Sequence, residues 1–188
     1  LGDRVGIIGW DGERLPYADN LVTLVIREDP ATVPDDEVMR VLAPHGVCMT
    51  RDGGRWANTV KPRPDDIDEW THYLHGPGGN AVADDRAVGP PRRFQWKAGP
   101  SWARLHDAPS STSAMVSARD RVFYIRDEGP MAAYRGLEEK WSLFARNAFN
   151  GILLWKRPLP GWGWKQWTAN WHRRNNQPFQ LPKRLVAA

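Results

Sequence analysis

Asp68, Glu69, His72 and His75 place two carboxylates and two imidazoles within eight positions. On a helix, Asp68 and His72 stand at i, i+4 and share a face, which would suit a metal. A firm zinc centre takes about three or four protein ligands, and no further ligand stands out nearby, so the alternative is a helix that docks or faces water. His106-Asp107 is a second pair that could do acid–base work, with no nucleophile beside it. Trp162, Trp164, Trp167 and Trp171 crowd a short stretch and could stack on sugars, quinones or bases. A long loop packed on a neighbour accounts for them equally well. Cys48 is the single cysteine. It excludes an internal disulfide and a cysteine-rich metal site, and its apolar surroundings read as core.

These residues need a frame, and the pattern of the chain suggests two. Val5-Gly6-Ile7-Ile8 reads as a short buried strand, and 21–26 (Leu-Val-Thr-Leu-Val-Ile) as a strand covered on both faces. A helix is expected from Pro34. Asp35, Asp36 and Glu37 suit the positive end of its dipole, and Val38, Val41 and Leu42 give it one apolar face. Pro44 and Gly46 should stop it, and a strand begins at Val47. This rhythm is that of a doubly wound α/β domain. A short helix is expected from Pro64 to Leu74, then Gly- and Pro-rich punctuation. From Ser110 the period changes to two. Strands are expected at 113–118, 122–125, 141–145 and 152–156, with tight turns at Arg119-Asp120 and Asn150-Gly151. Four short antiparallel strands make one propeller blade. Residues 181–188 read as the opening strand of another.

Two runs resemble known families. Leu15-Pro16-Tyr17-Ala18-Asp19-Asn20, then the strand at 21–26, then Arg40-Val41-Leu42-Ala43-Pro44-His45-Gly46 are similar to class I S-adenosylmethionine-dependent methyltransferases over about residues 3–52. That resemblance implies an adenine pocket at Asp11, Gly12 and Glu13, with Arg14 in the same loop. The family's Gly-rich loop and ribose-binding acid have no counterpart in this chain, and His45 intrudes in its Pro-Gly-Gly turn. Leu143 to Trp155 resembles the repeat of pyrroloquinoline-quinone (PQQ) type propellers, with Ala145, Ala148, Gly151 and Trp155 on pattern positions. Asn147 and Asn150 replace the usual Asp and Thr. In that family these residues are structural, and Trp155 is expected to pack. The whole arrangement, with Asp68 to Gly76 and Gly89 to Trp96, resembles a planctomycete-type fusion of the two domains.

The implied fold class is α/β plus all-β: the C-terminal part of a Rossmann-like methyltransferase domain at 1–60, a linker and docking segment at 61–110, and the first blade of a β-propeller with the start of the next at 111–188. The implied function is that of an incomplete PQQ-like repeat protein acting as a binding or scaffold module, with a degenerate methyltransferase-like part. The alternative is a S-adenosylmethionine-dependent methyltransferase with an appended propeller. No cofactor is expected on this stretch alone, though S-adenosylmethionine or PQQ could serve an intact protein. The expected partners are further propeller blades of the same chain.

Composition bounds these readings. Residues 1–60 carry 6 basic and 10 acidic residues and the remainder 20 and 12, so a net charge of +4 hides two halves of opposite sign. The basic residues are scattered among acids, which argues against nucleic acid. No apolar run approaches the roughly 20 residues of a membrane span. The chain opens on Leu1, so its native start is expected upstream, and the resemblance implies an exported or periplasmic protein. Ten of the 11 tryptophans follow residue 50, which favours strands there.

Overall fold

The structure is a computed structural model and describes residues 5–10, 12–87, 89, 94–99, 111–130, 138–163 and 181–188. The chain divides into two compact units, Leu1–Pro64 and Asp65–Ala188.

The first unit is a three-stranded sheet with one helix. β1 (Val22–Arg27) runs parallel to β2 (Leu42–Asp52), and β3 (Arg55–Val60) returns antiparallel to β2, in the order β1-β2-β3. Between β1 and β2 lies α1 (Asp35–Val41), with Pro34 at its N-cap position and three acids in its first turn. Val38, Leu42 and Cys48 form the core, and Val25, Val33 and Met39 pack against them. The helix ends ahead of Pro44, and the chain passes straight into β2 rather than into a turn. Gly46 lets β2 crowd its neighbour. A Cβ there would fall 2.7 Å from the carbonyl oxygen of Ala43 and 3.1 Å from that of Val22, where the β1–β2 register shifts.

The second unit holds β4 (Thr112–Ala118), β5 (Arg121–Asp127), β6 (Trp141–Asn147) and β7 (Leu153–Pro158), antiparallel in the order β4-β5-β6-β7. Arg119 and Asp120 both take positive φ, 50° and 61°. Two such residues make the twisted turn that matches a hairpin's own twist. One face packs Ala114, Ile125 and Trp141 with Leu143, Leu159, Trp162 and Leu185. On the other, Tyr124 and Phe144 stack with ring centroids 4.8 Å apart. The outer edge of β4 is fastened by residues 69–71. The Trp70 amide donates to Ser117 Oγ at 2.9 Å, and the Ser117 amide donates to the Trp70 carbonyl at 2.7 Å.

The expected α/β plus all-β class is not what forms. The molecule is mostly β, and the seven-residue α1 is the one α-helix among the described residues. A Rossmann-like sheet is covered by helices on both faces. Here α1 covers one face, while Leu24, Ile26, Trp56 and Val60 are exposed. Val5 to Ile8 form no strand and are exposed, because a strand needs a neighbour to satisfy its backbone. Pro64 to Leu74 form no helix. Their backbone is claimed elsewhere: Trp70 by Ser117, and His72 by a bridge to His75. Residues 181–184 form a 3₁₀ turn, and 185–188 form no strand.

Candidate functional site

Of the residues with chemistry to offer, Asp68 and His75 do meet, though through a loop rather than a helix face. His75 Nε2 lies 2.6 Å from Asp68 Oδ2. Asp68 also accepts the amides of Asp84 at 2.8 Å and Glu69 at 2.7 Å, while its own amide donates to Asp85 Oδ1 at 2.6 Å. The Asp84 and Glu69 amides, with His75, hold the Asp68 carboxyl below the ordinary carboxylate range. The His72 ring is engaged by Thr71, with Nδ1 2.8 Å from Thr71 Oγ1. Glu69 accepts the Arg119 amide at the β4–β5 turn. Three of the four groups are thus spent on pinning the loop and its sheet. Among the described residues no group of three or more His, Cys, Asp or Glu could hold a metal ion.

The runs at 15–20 and 40–46 meet at Arg40. Its Nη2 and Nε donate to both oxygens of Glu37, at 2.6 and 2.7 Å, and its Nη1 to Asp19 Oδ1 at 2.6 Å. It also donates to the carbonyls of Tyr17 at 2.9 Å and Leu15 at 3.0 Å. The Leu15 amide closes the ring by donating to Glu37 Oε1 at 2.6 Å. Hydrogen bonds from Arg40 pull the Glu37 pKa down to about 2. Lys61 adds a second tie, donating to Asn20 Oδ1 and the Met39 carbonyl, both at 2.6 Å. Burial lowers the Lys61 pKa. The two runs therefore belong together for a structural reason: the helix guanidinium needs the turn's carbonyls and acid.

The adenine contacts implied by the resemblance are Asp11, Gly12 and Glu13. Asp11 lies outside the described residues. Gly12 and Glu13 are exposed, and neither lines the groove of about 480 Å³ along β1. That groove is walled by apolar groups such as Leu15, Tyr17 and Val33, with Glu28 and Asp29 also on its lining. His106, Asp107, Trp164, Trp167 and Trp171 also lie outside the described residues. Trp162 is a packing residue, its Nε1 donating to Ser113 Oγ at 3.2 Å.

One arrangement was not foreseen. The β6–β7 turn forms a socket, and Trp96 sits in it. Asn147 Oδ1 accepts the amides of Phe149 at 2.9 Å and Asn150 at 3.1 Å, which curls the turn. Gly151 follows with φ of 71°. The Trp96 ring lies flush on it, so that a Cβ at 151 would fall 2.5 Å from Trp96 Cδ2. The Trp96 Nε1–H donates to the Ala148 carbonyl at 2.8 Å. Gly151 is thus demanded by the backbone and by the ring together.

No family model, curated protein or solved structure matches this chain. The site must be read from its own chemistry. The socket offers a glycine floor without a side chain and a carbonyl acceptor, which together seat an indole. The sequence did hold a signal for it. Asn150-Gly151 marked the turn, and the turn's positive-φ glycine is the floor on which Trp96 rests.

Proposed function

We propose that this chain is a binding or scaffold module of the PQQ-like repeat kind, working by aromatic docking between repeat elements rather than by catalysis. The observation that carries this reading is Trp96 in its socket, a ring from one segment seated on the turn of another 52 residues away. Ala148 and Gly151, two of the residues that match the repeat, supply the acceptor and the floor. Asn147, standing where the repeat has Asp, does the work of an Asx turn. The methyltransferase alternative rests on the resemblance of the 15–20 and 40–46 runs, which the structure ties together at Arg40.

The test is thermal unfolding of Trp96→Ala and Gly151→Ala with added ligands. Both variants should melt clearly below the parent, since truncation of a packed Trp costs about 3–5 kcal/mol and an alanine at 151 meets both a positive φ and a ring. Unchanged melting would mean that the socket joins nothing. In calorimetry neither S-adenosylmethionine nor PQQ should bind. A Kd tighter than about 100 μM, roughly −5.5 kcal/mol, would replace the scaffold reading with a ligand-binding one.

A further inference from the structure

β1 and β3 are the two outer strands of the first sheet, and they are finished differently. β3 carries Arg55, Asn58 and Thr59, all exposed, and polar or charged groups on an outer strand discourage a further strand from adding. β1 carries no proline and no exposed charge. Its one ionised residue, Arg27, is buried on Asp35 and Thr50, while Leu24 is 49% and Ile26 58% exposed. Such a strand is a ready template for pairing. The groove beside it adds apolar walls at Leu15, Tyr17 and Val33. The two ends of β1 also differ in charge. At its start stands Lys61, held by two neutral oxygens, those of the Asn20 side chain and the Met39 carbonyl, at 2.6 Å each. At its finish stand Glu28 and Asp29, both exposed, with the Glu28 side chain 78% open to solvent.

We propose that β1 pairs antiparallel with β1 of a second copy across a two-fold axis, joining two sheets into one with the order β3-β2-β1-β1-β2-β3. Charge selects this occupant and its direction. Antiparallel pairing brings Glu28 and Asp29 of each copy to Lys61 of the other. Parallel pairing would set the acids of the two copies side by side. Leu24 and Ile26 of both copies come together on one face, as cross-strand apolar pairs do. The same surface serves both copies, so the contact closes at a dimer, and the polar β3 strands form the outer edges. It lies wholly in the first unit and is independent of the aromatic docking in the second. An edge of six residues with its flanks is small for a protein interface, so the dimer should depend on concentration.

The experiment is sedimentation velocity of the whole chain over a concentration series, with hydrogen exchange at the two extremes. The mass should rise to twice that of the monomer and stop there. Amides of 22–27 should gain protection with concentration, and those of 55–60 should not. Ile26→Lys should stay monomeric, with circular dichroism confirming its fold. Thr23→Lys, at another exposed position of β1, replaces it if the first variant fails to fold. Glu28→Lys should weaken the dimer by about tenfold and Glu28→Gln by less, since the ion pair occurs twice across a two-fold. Added salt should weaken the parent dimer in the same direction. A chain that stays monomeric throughout, growth past the dimer, protection gained elsewhere but not at 22–27, or a Glu28→Lys variant that associates like the parent overturns the proposal.

Discussion

The two units hold themselves together by different means. In the first, a small apolar core of Val38, Leu42 and Cys48 is supplemented by charge: Arg40 alone binds two acids and two carbonyls, and Arg27, 8% exposed, binds Asp35, Thr50 and the Val33 carbonyl. In the second, aromatics dominate: Tyr124 on Phe144, Phe123 against Trp155, Trp96 on its turn. A sheet of short strands with large rings can bury enough area by itself. A three-stranded sheet with one apolar face bare cannot, and it leans on directed polar ties. The difference teaches where each unit is vulnerable.

The largest expected effect falls on the aromatic unit. Phe144 is 2% exposed, and Phe144→Ala should cost about 3–5 kcal/mol in denaturant unfolding. Hydrogen exchange should rise in β4 to β7 while β1 to β3 keep their protection. Equal loss in both units would break the comparison, because it would make them one cooperative body. Arg40→Ala should act on the first unit, by roughly 1.5–3 kcal/mol as charge-assisted hydrogen bonds are lost, and loosen residues 15–20. Arg40→Lys should restore little, since an ammonium cannot grip both oxygens of Glu37 and two carbonyls at once. Full rescue by lysine would reduce the tie to simple charge.

The smallest effect, absent near neutrality, concerns acid. The Glu37 pKa falls from the ordinary 4.5 to about 2 on folding, so its stabilisation is complete above about pH 4.5 and is lost as the pH drops towards 2. The Leu15 amide, which Glu37 holds, should lose protection across that window, and Glu37→Gln should flatten the dependence. Asp68 is shifted the same way in the second unit, so the Gln variant is what assigns the effect to the first. An unchanged profile in Glu37→Gln would show that Glu37 does not set it.

Where residues act through local rules, the sequence could be read directly. Pro34 and the three acids behind it start α1, and Arg119-Asp120 makes a two-residue hairpin turn. Asn150-Gly151 marks a turn too, although the connection runs from Ala148 to Ile152 and Gly151 alone carries the positive φ that the motif implied. Where a partner far along the chain decides, the reading failed. The 64–74 stretch has helical spacing, but Ser117 takes its backbone. Val5 to Ile8 has strand composition and no strand beside it. Trp155, expected to pack, does lean on Phe123, while 39% of it stays exposed.

What the sequence determined by itself is therefore local: strand periods of two, turn residues able to take positive φ, and a helix start charged to suit its dipole. The tertiary structure decided which backbone pairs with which, and with it the fold class. It also decided the site. Asp68 and His75 meet because a loop closes on two amides, and Trp96 finds Ala148 and Gly151 across 52 positions. Periodicity fixes which face a residue takes, but hydrogen bonds and ring contacts at long range depend on closing the chain. That closure is set by the sum of all contacts, and no short run of residues encodes it.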